Sequence, residues 1–150
     1  MKFVDDEHKA FFEQMVAKTR TQDDVYRKAF FYTLGLTATT CHNIDDIYDF
    51  AEHCPKFDAV RKGWQTSTSV KVTRLAFDLY NGYDGKGKTD AHDGYTPYEL
   101  FACGLMEYML EAVRIRYPEY TAARQEEAHR FMTALESGTD LTSEGEDGCG

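Results

Sequence analysis

The sequence predicts an all-α fold, a compact bundle of about five to six helices. Three observations carry this expectation. Apolar residues recur three and four positions apart over most of the chain, the spacing of one helix face. No set of alternating apolar and polar residues exists to build a sheet, and the only extended-looking text is the hydroxyl run at 66–69. Pro55, Pro97 and Pro118 each fall where a segment can end or begin.

The first helix is expected over about residues 5–19. Asp5, Asp6 and Glu7 favour its positive end, Lys18 and Arg20 its negative end, and Phe11, Phe12, Met15 and Val16 form its apolar stripe. His8, four residues before Phe12, reads as a helix-edge residue. The second helix covers about residues 22–34. Its Val25, Tyr26, Ala29, Phe30 and Phe31 are too many for one narrow face, so it is deeply packed, and Gly35 suits a left-handed stop. Residues 37–42 fit a short helical turn. Asn43 fits the cap of a third helix through Ile44, Ile47, Tyr48 and Ala51, ended by Pro55. Residues 57–63 are ambiguous.

A hydroxyl in the 66–69 run caps the next helix, which carries Val70, Val72, Leu75, Ala76, Leu79 and Tyr80 and closes at Gly82. Residues 83–95 form the longest internal loop. Thr96, Pro97 and Glu99 then supply a cap, a first-turn proline and a reach-back carboxylate for a helix carrying Phe101, Leu105, Met109, Ala112 and Val113. Pro118 breaks it. A last helix over about residues 119–135 sets Ala128, Phe131, Met132 and Leu135 on one side.

With 150 residues the chain has the size of one domain, and such a domain buries roughly 70% of its unfolded surface. Ten Phe, ten Tyr and an apolar fraction of 42% supply core material without a disulfide or structural metal. The expected organisation is a single helical domain over residues 1–136 and a disordered acidic tail over 137–150. That tail holds Asp140, Glu144, Glu146 and Asp147 and no Lys or Arg.

The formal net charge is −9. An acidic surface repels phosphate backbones and anionic lipid, which disfavours direct nucleic-acid or membrane binding and favours a protein partner with a basic surface. No apolar run reaches the length of a membrane span, and the acidic N-terminus does not fit a signal peptide. Cys41, Cys54, Cys103 and Cys149 are irregularly spaced, so reduced thiols and a cytoplasmic location are expected.

No motif is specific enough to name a reaction or call for a cofactor. The run Trp64, Gln65, Thr66, Ser67, Thr68, Ser69 places consecutive hydroxyls at a helix N-terminus. With Lys71 and Arg74 nearby and Trp64 as a flat surface, it is a candidate anion site. The plainer reading has Trp64 in the core and the hydroxyls as caps. Asp45, Asp46 and Asp49 match Asp-Asp-x-x-Asp; on a helix Asp45 and Asp49 share a face and can hold Mg²⁺ for phosphohydrolase chemistry. A first-turn dipole effect explains the same residues. Glu126 and Glu127 offer a second acidic pair, at a spacing that does not match helical nucleotide pyrophosphatases.

Cys41-His42 and His53-Cys54 hold four zinc-type donors, but a helix over residues 44–52 is about 13 Å long and separates the pairs. Asp84, Asp90, His92 and Asp93 suggest calcium, yet Lys86 and Lys88 stand where oxygen ligands belong. Arg114, Arg116, Tyr117 and Tyr120 cluster around Pro118 as binding anchors or as pins of a kink.

Four stretches carry a resemblance: Tyr32-Thr33-Leu34-Gly35-Leu36; Gly63 through Ser69 with Arg74-Leu75-Ala76-Phe77; Thr96-Pro97-Tyr98-Glu99-Leu100-Phe101; and Arg116-Tyr117-Pro118-Glu119-Tyr120. Together they resemble a family of small uncharacterised proteins of low-GC Gram-positive bacteria and their mobile elements. The resemblance spans most of residues 1–120 and carries no catalytic residues. It implies an accessory or interaction role in a bacterial cytosol, such as an inhibitor of a host protein. The expected function is therefore non-enzymatic protein–protein interaction, with the Asp45/Asp46/Asp49 phosphohydrolase as the alternative.

Overall fold

A computed structural model describes residues 1–85 and 94–138. The calcium reading of the 83–95 loop and the acidic tail fall wholly or mainly outside these residues. The fold is all-α, as expected: α1 (Asp6–Thr19), α2 (Val25–Leu34), α3 (Ala38–His42), α4 (Ile44–Ile47), α5 (Ser67–Asn81), α6 (Pro97–Leu100), α7 (Met106–Arg116) and α8 (Ala122–Ser137). No described helix is long and apolar enough to cross a membrane. Two compact units divide the chain, Met1–Arg116 and the residues from Tyr117 onward.

In the first unit α2 is the central rod, packed against α1, α5 and α7. Its last six residues, Ala29 to Leu34, are all buried, which leaves no solvent face there and explains the unbroken apolar text. Side-chain caps start the helices. The carboxylate of Asp5 accepts from the His8 amide at 2.8 Å, and that of Asp24 accepts from the Arg27 amide at 3.1 Å. Thr66 and Ser69 form a reciprocal capping box at α5, and Thr96 and Glu99 form another at α6. Gly82 closes α5 in the left-handed conformation, φ 76°. The α2–α5 seam is aromatic. Phe30 and Phe77 stack at 6.2 Å, and Phe77 meets Phe57 edge-on at 4.9 Å.

Five sequence expectations are corrected. The third helix stops after one turn at Ile47. Tyr48–Asp49 then pairs antiparallel with Cys54–Pro55 as two short strands, β1 and β2. Tertiary contacts override the helical pattern there. Tyr48 is 1% exposed, its ring 5.1 Å from Phe31, and its hydroxyl accepts from Arg27 Nε at 2.9 Å. The same guanidinium pairs with Asp24 at 2.8 Å and donates to the His53 carbonyl at 2.6 Å, so one arginine ties the hairpin to α2. Asn43 makes no side-chain cap to α4; its amide instead donates to the Thr39 carbonyl at 2.8 Å and closes α3.

Gly35 is not left-handed. Its φ is −72°, and what excludes a side chain is His8, whose Cδ2 would stand 2.6 Å from an added Cβ. His8 is no edge residue: it is 2% exposed, between the rings of Phe3 and Tyr32. Its Nδ1 accepts from the Val4 amide at 3.1 Å, which makes Nε2 the protonated nitrogen. Nε2 donates to the Tyr32 carbonyl at 2.8 Å. Burial lowers the pKa of His8.

The helix expected from Thr96 onward is interrupted between Leu100 and Met106, where Gly104 weakens helix propensity. The second unit begins with a 3-10 turn, Pro118–Tyr120, and Thr121 caps α8. Within this unit Tyr117 and Tyr120 lie 6.2 Å apart, and no residue of α8 is buried.

Candidate functional site

Two hydroxyls of the run at the start of α5, Thr66 and Ser69, are committed to its own helix. Ser69 is fully buried, its hydroxyl accepts from the Thr66 amide at 2.8 Å, and it donates to Gln65 Oε1 at 2.6 Å. Gln65 Nε2 in turn donates to the Ala59 carbonyl at 3.1 Å and to the Thr73 hydroxyl at 3.0 Å. Ser67 is exposed and Thr68 half-buried. Trp64 is half-buried, and its indole N–H donates to Asp46 at 2.8 Å. This segment therefore joins α5 to α4 through a closed hydrogen-bond network, in which a buried polar group is stable only if partnered.

The carboxylates of Asp45, Asp46 and Asp49 do not share a helix face, because Asp49 lies in β1. Asp49 accepts from the amides of Ala51 and Glu52, each at 3.0 Å, and these bonds hold its carboxyl below the usual range. Asp46 is taken by Trp64, and Lys56 donates to the carbonyl of Asp45 at 2.8 Å. Cys41 sits half-buried in α3, its thiol pushed up to about 11 by burial, while Cys54 is exposed in β2. Among the described residues no three His, Cys, Asp or Glu side chains group as a metal site.

Arg114 pairs with Glu111 at 3.6 Å on α7. Arg116 donates from Nε to the Leu79 carbonyl at 2.7 Å and stacks on Tyr26 at 3.8 Å, so it pins α7 to α5 and α2. Tyr120 belongs to the second unit and is 71% exposed. Arg114 and Arg116 thus belong to the first unit, and Tyr117 and Tyr120 to the second.

Arg74 stands apart from the hydroxyl run, in a cleft of about 460 Å³ lined by Lys71, Arg74, Gly94, Tyr98, Glu99 and Ala102. Sequence reasoning missed this grouping. Its signal was a glycine twenty positions from the arginine, and only tertiary packing joins them.

In the second unit Phe131, Met132 and Leu135 are 52%, 55% and 54% exposed. With Ala128 they follow the i, i+3, i+4, i+7 spacing of one stripe, as the sequence indicates. The residues from Tyr117 onward include eight acidic and two basic side chains, a net −6 of the chain's −9.

The molecule is thus an all-α protein with a packed helical unit over Met1–Arg116 and a second unit whose helix α8 carries an apolar stripe. The chain belongs to the family of unknown function DUF6075, whose model matches residues 1–129. No curated protein and no solved structure matches it.

Proposed function

We propose that this chain is a small accessory protein that acts by binding another protein through α8. The observation that supports this is the apolar stripe of Ala128, Phe131, Met132 and Leu135. Recognition helices present apolar anchors at this spacing to a groove on their partner. Glu136 edges the stripe on one side and Glu127, paired with Arg124 at 3.1 Å, on the other, and the residues from Tyr117 onward carry a net −6. The matching surface is therefore an apolar groove rimmed by Lys or Arg. A more specific version follows from the resemblance: a cytoplasmic product of a bacterial mobile element that masks a basic, nucleic-acid-binding surface of a host protein.

The test compares the full chain with a Phe131→Asp, Leu135→Asp double variant in cross-linking and affinity capture from native lysate. The reading expects a basic protein held by the parent and lost from the variant. Identical captures overturn it. A homodimer that the variant dissociates makes the occupant a second copy and removes the accessory role.

The phosphohydrolase alternative places Asp45 and Asp49 on one helix face with Asp46 beside them, whereas α4 ends at Ile47 and Asp49 lies in β1. Mg²⁺ or Mn²⁺ titration with a nucleotide panel checks it directly: turnover, or a metal-dependent melting temperature lost in Asp46→Asn, restores it.

A further inference from the structure

We propose that the cleft between α5 and α6 binds a phosphate monoester carrying a flat ring, with the phosphate held by Lys71 and Arg74. The two cations are three residues apart on α5, so they emerge from the same face. Among the described residues neither makes a hydrogen bond or ion pair. The guanidinium of Arg74 is nevertheless placed: it lies 5.9 Å from the Tyr95 ring centre and rests against Gly94. A Cβ at position 94 would stand 2.4 Å from Arg74 Nη1, and the φ of 95° there suits glycine alone. The backbone is thus shaped around an arginine whose five N–H donors have no acceptor among the described residues.

Among the described residues lining the cleft Glu99 is the one carboxylate, and it is already engaged. Its Oε2 accepts from the Gly94 amide at 2.9 Å, the Thr96 amide at 3.2 Å and the Thr96 hydroxyl at 2.8 Å. Among the described residues lining the cleft, two cations stand against one engaged carboxylate, a balance that favours an anion there. A guanidinium fork beside an ammonium matches the oxygens of a phosphate group, through two N–H bonds from one and a point charge from the other. Tyr98 is 89% exposed at the rim. Its ring offers a stacking surface to whatever the phosphate carries, which favours an ester over the free ion. The proposal is independent of α8.

The experiment is calorimetric titration of the full chain, at low salt, with inorganic phosphate and with adenosine monophosphate. Saturable binding of both is expected, with the nucleotide tighter. Arg74→Gln weakens both by about tenfold or more, the value of a charge-assisted hydrogen bond. Lys71→Gln weakens both by less, Tyr98→Ala removes the nucleotide's advantage, and Arg114→Gln changes neither. Absence of saturable heat overturns the proposal, as do equal affinities for the two ligands, or binding unchanged in folded Arg74→Gln and Lys71→Gln. If Arg74→Gln does not fold, Lys71→Gln decides, because Lys71 packs against no glycine.

Discussion

Gly35→Ala inverts a familiar rule. An alanine at a right-handed glycine position normally stabilises by about 0.4–1 kcal/mol, through the unfolded chain. Gly35 has that conformation, φ −72° and ψ −8°. Yet its new Cβ would stand 2.6 Å from His8 Cδ2 and 3.0 Å from Phe11 Cδ1. Carbon–carbon contact is optimal at about 3.5–4.0 Å, so the imidazole must retreat by about 1 Å. That opens the 2.8 Å bond from Nε2 to the Tyr32 carbonyl beyond hydrogen-bond range. The lost bond between buried groups costs about 1–3 kcal/mol, and overpacking adds about 1–3 kcal/mol. After the backbone gain, Gly35→Ala is expected to destabilise by about 1–5.5 kcal/mol, a large share of a typical domain's stability of about 5–15 kcal/mol. Urea unfolding followed by Trp64 fluorescence measures this as a lower midpoint at unchanged slope. In a His8→Ala background the same substitution should be near neutral, since Phe11 is only half-buried and can turn away. A Gly35→Ala protein as stable as its parent, or an equal loss in both backgrounds, refutes the role given to His8.

His8 also sets a pH dependence. Its folded pKa lies below its ordinary 6.5 because burial disfavours the cation, so the unfolded chain binds more protons in that window. Stability is therefore full above pH 6.5 and declines as pH falls towards the folded pKa; unfolding midpoints at pH 7.5 and 5.5 should differ, and differ less in His8→Gln. Phe77→Ala, in the aromatic seam, should cost about 3–5 kcal/mol by the same urea assay. Ser69→Ala removes one half of the α5 capping box and the partner of Gln65. It should lower stability by about 1–3 kcal/mol, where Ser67→Ala stays within about 0.5 kcal/mol. Asp46→Ala frees the Trp64 indole, which should shift its emission to longer wavelength; an unchanged spectrum contradicts the 2.8 Å bond.

Elements whose determinants are adjacent in the chain were readable from it. The hydroxyl cap of α5, and Thr96, Pro97 and Glu99 at α6, act across three residues, so their signal survives without knowledge of the fold. The misreadings share the opposite property. Tyr48 leaves a helical pattern because Phe31 and Arg27, in another element, take it. Gly35 resembles a left-handed stop until His8 arrives from α1. For the candidate sites the contrast is the same. The α8 stripe is periodic text and was legible, whereas the Lys71–Arg74 cleft exists only because Gly94 returns to α5 through the fold.

The guanidinium of Arg27 also determines how the hairpin comes apart. Two-residue strands are too short to hold themselves together in water, and the 48–55 segment leans on α2 through the Arg27 guanidinium and through the Tyr48 ring against Phe31. Its amides should therefore exchange with solvent only when the central rod gives way, as one cooperative block with α2, instead of fraying early as surface ribbons do. Lysine at this position keeps the charge but not the planar fork, and it would uncouple the ribbon from the rod while leaving the rest of the unit protected.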